Sequence, residues 1–106
     1  MARTPKSLAA AIARDIPPHI RERGDKYVRQ HRLVSLEWSE NQIAYKVQGT
    51  DVYFVALSRD GEAIDFTCSC PYFFDRGPCK HVWAAAVAID QDPRWDGSWP
   101  AARQRD

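Results

Sequence analysis

The cysteines of this chain lie close together and are followed by a histidine, in the pattern Cys68-x-Cys70, eight residues, then Cys79-x-His81. The chain has three cysteines, and an odd number at such short spacing does not fit a disulfide framework, which needs pairs and usually wider spacing. Clustered thiols in a chain without a recognisable secretory signal are typical of metal ligands. This cluster therefore limits the fold more than any other feature of the sequence.

The spacing of the four side chains suits zinc. On an extended backbone, residues i and i+2 point to the same side, so Cys68 and Cys70 at the end of a strand can face one metal ion. Cys79 and His81 lie where a helix is expected to begin, and the unpaired N–H groups there favour a thiolate. Positions i and i+2 of a regular helix point about 200° apart, so Cys79 should lie at or before the first turn. Three cysteines and one histidine complete a tetrahedron, and a closed site of this kind is structural rather than catalytic.

Other interpretations of the pattern are weaker. Ordinary core residues rarely fall by chance into two tight pairs placed between a strand and an alanine-rich helix. A nucleophilic pair of Cys79 and His81 would leave the other two cysteines without a role, and the sequence offers no orienting partner. A disulfide between Cys68 and Cys70 would close a strained, very small loop. With zinc bound, we expect Lys80 to offset part of the thiolate charge and His81 to donate its second ring N–H to a carbonyl or carboxylate.

The segments CSCPY at 68–72 and PCKHV at 78–82 resemble the SWIM zinc finger, whose pattern is C-x-C, a variable loop and C-x-H. The resemblance extends over residues 23–89 and includes VQGT at 47–50. It implies a ββα finger with one Zn²⁺ per chain, held by Cys68, Cys70, Cys79 and His81. SWIM fingers are regarded as DNA-binding or protein-interaction modules. Because the chain lacks a G-x-x-x-x-G-K-[ST] motif, it is expected to be a stand-alone finger or a piece of a larger helicase-like, recombination or transposition machine.

The rest of the chain predicts an α+β fold. A short helix at 8–16, capped by Ser7, and a second helix at 18–30, with a break possible at Gly24, precede four strands at 32–38, 43–47, 52–57 and 62–68. Short turns between successive strands favour an antiparallel meander. A loop at 72–78 then leads into an alanine-rich helix that begins near Cys79 and ends at Asp92 and Pro93. Its buried stripe is predicted at Val82, Ala85, Ala86 and Ile89.

These elements predict three parts of the chain: an N-terminal short helix at 1–17, a single zinc-finger domain at 18–90 with its metal motif at 68–81, and a tail or linker at 91–106. A length of 106 residues suits one domain. The net charge of +1 excludes a polycation or an acidic tail. No membrane span is expected, and we expect an intracellular protein with neither enzymatic activity nor a small-molecule substrate.

A local excess of positive charge between positions 17 and 32 indicates a surface that contacts phosphates. The predicted nucleic-acid contacts are Arg21, Lys26, Arg29, Arg76 and Lys80. The alternative interpretation is a solvated helix face with a Glu22–Lys26 ion pair.

Aromatic residues are the other candidates for contact with a partner. Phe73 and Phe74 either stack on bases or roof the zinc, whereas Trp95 and Trp99 either pack on the body or dock a partner. The sequence thus predicts a structural-zinc module that binds nucleic acid, DNA first. The alternative is a protein-interaction module with an exposed apolar patch.

Overall fold

The computed structural model of the chain describes residues 7–60 and 63–99. The helices are α1 (Leu8–Ile12), which continues as a 3₁₀ turn (Ala13–Asp15), α2 (Pro18–Arg29), α3 (Pro71–Arg76) and α4 (Lys80–Gln91). The strands are β1 (Leu33–Trp38), β2 (Gln42–Gln48), β3 (Val52–Asp60) and β4 (Ala63–Cys68). The predicted α+β fold, with N-terminal helices, a meander of four strands and C-terminal helices, is confirmed.

The four strands form one antiparallel sheet in the order β1-β2-β3-β4. Ile43, Tyr45 and Val47 are buried on one face of β2, as the alternation of apolar and polar residues predicts. One end of the sheet, where β1 and β3 begin and β2 and β4 end, is called the Cys68 end below. The β3–β4 hairpin is paired at Asp60 and Ala63, so β3 extends beyond its predicted end at position 57; positions 61 and 62 lie outside the described residues.

Helices α2 and α4 pack against each other with Gly24 at their contact. A Cβ atom on Gly24 would lie 2.7 Å from the carbonyl oxygen of Lys80 and 2.7 Å from a ring carbon of Trp83. Gly24 therefore does not break α2; its missing side chain makes room for α4. The indole Nε1 of Trp83 donates a hydrogen bond of 2.8 Å to the Asp25 carboxylate and fixes the same contact.

The N-terminal helix is tied to the far end of α4. The Ser7 hydroxyl accepts a hydrogen bond from the Ala10 N–H, which confirms the predicted cap. Asp90 of α4 accepts two further bonds, from the N–H groups of Leu8 (2.8 Å) and Ala9 (3.1 Å). Leu8 and Ile12 are buried. A side chain distant in sequence thus satisfies the N–H groups that a helix start leaves unpaired.

The segment after Cys70, predicted as a loop, contains α3. Pro71 suits the first turn of a helix because its missing N–H would be unpaired there anyway. The helix ends at Gly77, whose φ of 88° is accessible at low cost only to glycine. The chain therefore returns to the second ligand pair through a helical turn rather than through an irregular loop.

The described part of the C-terminal tail lies on the body of the molecule. Trp95 and Trp99 are partly buried against the core, with their rings edge to face and 5.9 Å between centroids. Arg94 forms an ion pair of 2.9 Å with Asp92, and its guanidinium lies 4.1 Å from the centre of the Trp38 ring. Of the two alternatives for the tryptophans, packing on the body is observed. The division of the chain at positions 17 and 90 stays a prediction.

Across the described residues, none of the helices is both long and apolar enough to span a lipid bilayer.

Candidate metal centre and its surroundings

Four buried side chains meet where β4, α3 and α4 join. Cys68 is the last residue of β4, Cys70 precedes the first turn of α3, Cys79 caps α4, and His81 lies in the first turn of α4. Their side chains are no more than 4% exposed. The four ligand atoms all lie within 4.8 Å of one another. The predicted position of Cys79, just before the helix, is confirmed because its backbone is extended.

The geometry of these side chains fits a zinc ion. The Nδ1 atom of His81 lies 3.6 Å from the Cys68 sulfur and 3.8 Å from the Cys79 sulfur. In a tetrahedron with Zn–S of about 2.3 Å and Zn–N of about 2.0–2.1 Å, sulfur and nitrogen are about 3.6 Å apart. Three sulfurs and an imidazole nitrogen are also the donor set that structural zinc sites use. The chain therefore has one buried Cys₃His site, consistent with a single Zn²⁺.

The three thiols differ in acidity. A hydrogen bond from Cys68, with further support from His81 and the Val82 N–H, lowers the pKa of Cys79 to about 4. The same interaction raises the pKa of Cys68, and burial raises the pKa of Cys70. Zinc that binds here must therefore displace the protons that the thiols still carry.

Aromatic rings hold the histidine ligand in place. Its ring is 4.7 Å from the Tyr53 ring and 5.4 Å, edge to face, from the Tyr27 ring. Its Nε2 atom is buried and has no hydrogen-bond partner among the described residues. The prediction that a carbonyl or carboxylate accepts the second ring N–H of His81 is therefore wrong. The spacing of the cysteines and His81 does not predict that either tyrosine lies beside them, because the tyrosines belong to α2 and β3, which are distant in sequence.

Two cations from different segments share one of these rings. The Lys80 ammonium lies 5.1 Å from the centre of the Tyr27 ring, and the Arg32 guanidinium lies 5.4 Å from it. Arg32 also donates a hydrogen bond to the carbonyl oxygen of Gln48, at the end of β2. Tyr27, which contacts His81, thus brings positive charge to the edge of the metal centre, as expected for Lys80.

The other predicted nucleic-acid contacts lie in different settings. Arg21 stacks 5.8 Å from the Trp83 ring centre, and its Nε atom is buried without a hydrogen-bond partner among the described residues. Lys26 and Arg29 lie on the outer side of α2, and Arg76 is exposed at the end of α3. In the part of the chain that the structure describes, no ion pair joins Glu22 to Lys26. Arg21 is thus less open to a partner than the exposed predicted contacts on α2 and α3, while Arg32 joins Lys80 at the metal centre.

The two phenylalanines of α3 also differ. Phe73 packs against the core and lies edge to face with Phe66, with 6.4 Å between ring centroids. Phe74 is 77% exposed. Phe73 therefore packs inward, and of these two only Phe74 has a ring open to a partner. Sequence reasoning missed a further exposed aromatic residue, Phe54 of β3, whose alternation with the buried Val55 is the signal that could have identified it.

Residues 53–90 match the family model of the SWIM zinc finger. This stretch begins in β3 and ends in α4, and it contains all four metal-ligand candidates. No curated protein and no solved structure matches the chain. The resemblance inferred from the cysteine and histidine spacing is confirmed, and the chain contains a zinc-binding SWIM module.

Proposed function

We propose that this chain, which contains a SWIM zinc finger at residues 53–90, binds nucleic acid, with DNA as its partner. The observation that supports the proposal most is the meeting of Lys80 and Arg32 over the Tyr27 ring, next to His81. Phosphates attract cations placed in this way, and hydrogen bonds to phosphate oxygens position a protein on a nucleic acid.

These two cations and the exposed predicted contacts Lys26, Arg29 and Arg76 are available for phosphates. Within residues 7–60 and 63–99, no carboxylate lies within ion-pairing distance of Lys26, Arg29, Arg32, Arg76 or Lys80. The net charge of the chain is only +1, so attraction depends on these individual cations and not on the molecule as a whole. Arg21, held against Trp83, contributes charge but not a free side chain.

Zinc has a structural role in this proposal. By binding Cys79 and His81 on either side of Lys80, it fixes the start of α4 and therefore the position of the ammonium group. SWIM fingers are typically non-catalytic, and four protein ligands leave zinc no open position. We therefore propose neither a reaction nor a small-molecule substrate, and we propose that the chain works inside the cell.

A second candidate function is protein binding, alone or within a larger helicase-like, recombination or transposition machine. The observation in its favour is a group of exposed apolar side chains. Phe74 is 77% exposed, Phe54 is 54% exposed, and Val34 and Leu36 are each 52% exposed. Exposed apolar patches of this kind often mark interaction sites.

Salt-titrated binding to single-stranded and duplex DNA and RNA distinguishes the two functions. We expect Lys26→Glu and Arg29→Glu each to weaken binding and to reduce the salt slope by about one unit, because each removes a cation that neutralises one phosphate. Arg59→Glu is the matched control. Arg59 is also on the surface, but it lies at the end of β3 that is away from Cys68 and the metal centre. Lys80→Gln, with its zinc content checked, tests the cation nearest the metal. Wild-type protein that binds no nucleic acid at low ionic strength would refute the proposal.

A further inference from the structure

The outer face of the sheet, which points away from α2 and α4, is rich in exposed apolar side chains. Val34 and Leu36 of β1 are each 52% exposed, and Val52 and Phe54 of β3 are 38% and 54% exposed. The partly buried Ala44 of β2 and Ala56 of β3 lie opposite each other in the sheet. Antiparallel sheets usually place polar residues on their solvated face, so this face differs from the common pattern.

One row across the outer face combines an aromatic ring with a cation. The strand register places Val34 opposite Lys46 and Lys46 opposite Phe54. Residues opposite each other in antiparallel strands share a face, so Lys46 lies between two apolar side chains. The row lies at the Cys68 end, the same end as Arg32, which precedes Val34 by two positions.

The backbone of Phe54 is joined to the metal-binding segment. Its N–H donates a hydrogen bond of 2.9 Å to the Ser69 hydroxyl, and its carbonyl oxygen accepts one of 3.0 Å from the Ser69 N–H. Ser69 lies between the ligands Cys68 and Cys70. The exposed ring is therefore carried by a rigid part of the molecule, and neither hydrogen bond involves the Phe54 side chain.

We propose that this outer face binds single-stranded nucleic acid, with a base stacked on Phe54 and a backbone phosphate at Lys46. The inference rests on the proposed function and adds to it a second contact surface and a preference for single strands. Bases of a single strand are free to stack on aromatic side chains, whereas those of a duplex are already stacked on each other.

The position of Lys46 favours this partner over an apolar protein surface. A protein docked on the row would bury the ammonium group between Val34 and Phe54, and burying an unpaired charge is costly. A nucleic-acid strand supplies a phosphate at that point. The acidic side chains that the structure describes on this face, Glu37 and Asp65, pair further along the strands, opposite Ala44 and Ser58, away from the Cys68 end. Asp51 precedes Val52 at the Cys68 end and accepts a hydrogen bond from the Val52 N–H.

Fluorescence anisotropy with a labelled oligodeoxythymidylate, an oligouridylate and a mixed-sequence duplex tests the proposal. Loss of one stacked base should weaken single-strand binding roughly 5- to 150-fold in Phe54→Ala. Phe54→Leu should weaken it nearly as much because leucine keeps apolar contact but not stacking, whereas Phe54→Trp should retain binding. Lys46→Gln should reduce the salt slope by about one unit. Arg59→Gln, which changes an exposed cation at the end of β3 away from this row, is the control and should change little.

Ultraviolet cross-linking to the oligodeoxythymidylate provides a direct readout. The proposal expects an adduct in the tryptic peptide 47–59 that disappears in Phe54→Ala. Wild-type binding that Phe54→Ala and Phe54→Leu leave unchanged, while Lys26→Glu reduces it, would overturn the outer-face proposal and leave the proposed function standing. If Phe54→Leu preserved binding and Phe54→Ala abolished it, apolar docking without stacking would replace the proposal. If the wild type bound no nucleic acid at all, both proposals would fall together.

Discussion

The two ends of α4 are anchored by different chemistry. Its N-terminal end carries Cys79 and His81, which join β4 and the start of α3 through the metal centre. Its C-terminal end carries Asp90, which caps α1, and is followed by Asp92, which pairs with Arg94 of the tail. Each end joins α4 to other elements, to β4 and α3 at the N-terminal end and to α1 at the C-terminal end, but only the N-terminal end uses a metal site.

The difference follows from what each end can bury. Between Cys70 and Cys79 the chain has a short helix with no buried residue and a Gly77-Pro78 turn. Such a segment loses conformational entropy on ordering and recovers little through apolar burial. At the other end, Leu8 and Ile12 are buried and hydrogen bonds complete the contact. In a small domain, a metal ion stabilises the part that the apolar core cannot.

Removal of a zinc ligand should have the largest effect on this comparison. Structural zinc contributes an apparent binding free energy of about 10–16 kcal/mol, and a domain is typically stable by about 5–15 kcal/mol. Metal analysis should find one zinc per wild-type chain and none in Cys79→Ser. Hydrogen exchange should show reduced protection across 70–82, while the pairing of β1 with β2 persists.

Ser69→Ala is the control for that experiment, since it changes a residue between two ligands without removing a donor to the metal, and it should keep its zinc. Acid should also release zinc from the wild type, because protons compete for the thiolates and for His81. Unchanged protection across 70–82 after zinc removal would show that this segment stays folded without zinc.

A methyl group at Gly24 should have the next largest effect. Its Cβ would lie 2.7 Å from the Lys80 carbonyl oxygen, a backbone atom that cannot rotate away. Overpacking of this kind costs about 1–3 kcal/mol, which outweighs the gain of about 1 kcal/mol in helix propensity from glycine to alanine. Denaturant unfolding measures the loss of stability in Gly24→Ala, with Arg23→Ala as the exposed neighbour that should stay within about 0.5 kcal/mol.

The same variant shows whether the packing of α2 against α4 helps the protein to retain zinc. Because Gly24 faces the first turn of α4, Gly24→Ala should also release zinc to a chelator faster than the wild type. If stability falls but zinc retention does not, the metal centre is independent of helix packing.

Loss of the α1 cap should have a smaller effect on stability, limited to the C-terminal end of α4. Asp90→Ala removes the acceptor for the N–H groups of Leu8 and Ala9 and should cost about 1–2 kcal/mol. Asp90→Asn keeps one oxygen acceptor and should cost less. Zinc stoichiometry should be unchanged in both variants. A loss of zinc in Asp90→Ala would mean that the two ends of α4 are coupled.

The smallest expected effect concerns pH and the tail. Hydrogen bonding from Arg94 lowers the pKa of Asp92 below its usual value of 3.8. The ionised Asp92 carboxylate therefore stabilises the folded state at pH values above 3.8. This contribution is lost as the pH falls through the lowered pKa. Because the Arg94 side chain is largely in solvent, Asp92→Asn should cost at most about 1 kcal/mol at neutral pH.

The difference in unfolding free energy between wild type and Asp92→Asn, measured at each pH, should shrink towards zero in acid. Zinc loss in acid affects both proteins equally and cancels in that difference. A difference that did not change with pH would show that Asp92 acts through packing and not through its charge.

The sequence by itself determined the metal ligands, the four strands and the buried stripe of α4. Each of these is a local property: ligand spacing within one short segment, alternation with period two in β2, and a helical period through Val82, Ala85 and Ile89. Neighbours along the chain are sufficient to define such patterns, whatever the rest of the molecule does.

Only the tertiary structure decided which distant groups meet. The contact of Asp90 with α1, the close approach at Gly24 and the aromatic walls of His81 join residues from separate elements. It also decided that Phe73 turns inward and Phe54 outward. Local periodicity shows that a face is apolar but not what covers it, because burial depends on how the elements pack in three dimensions.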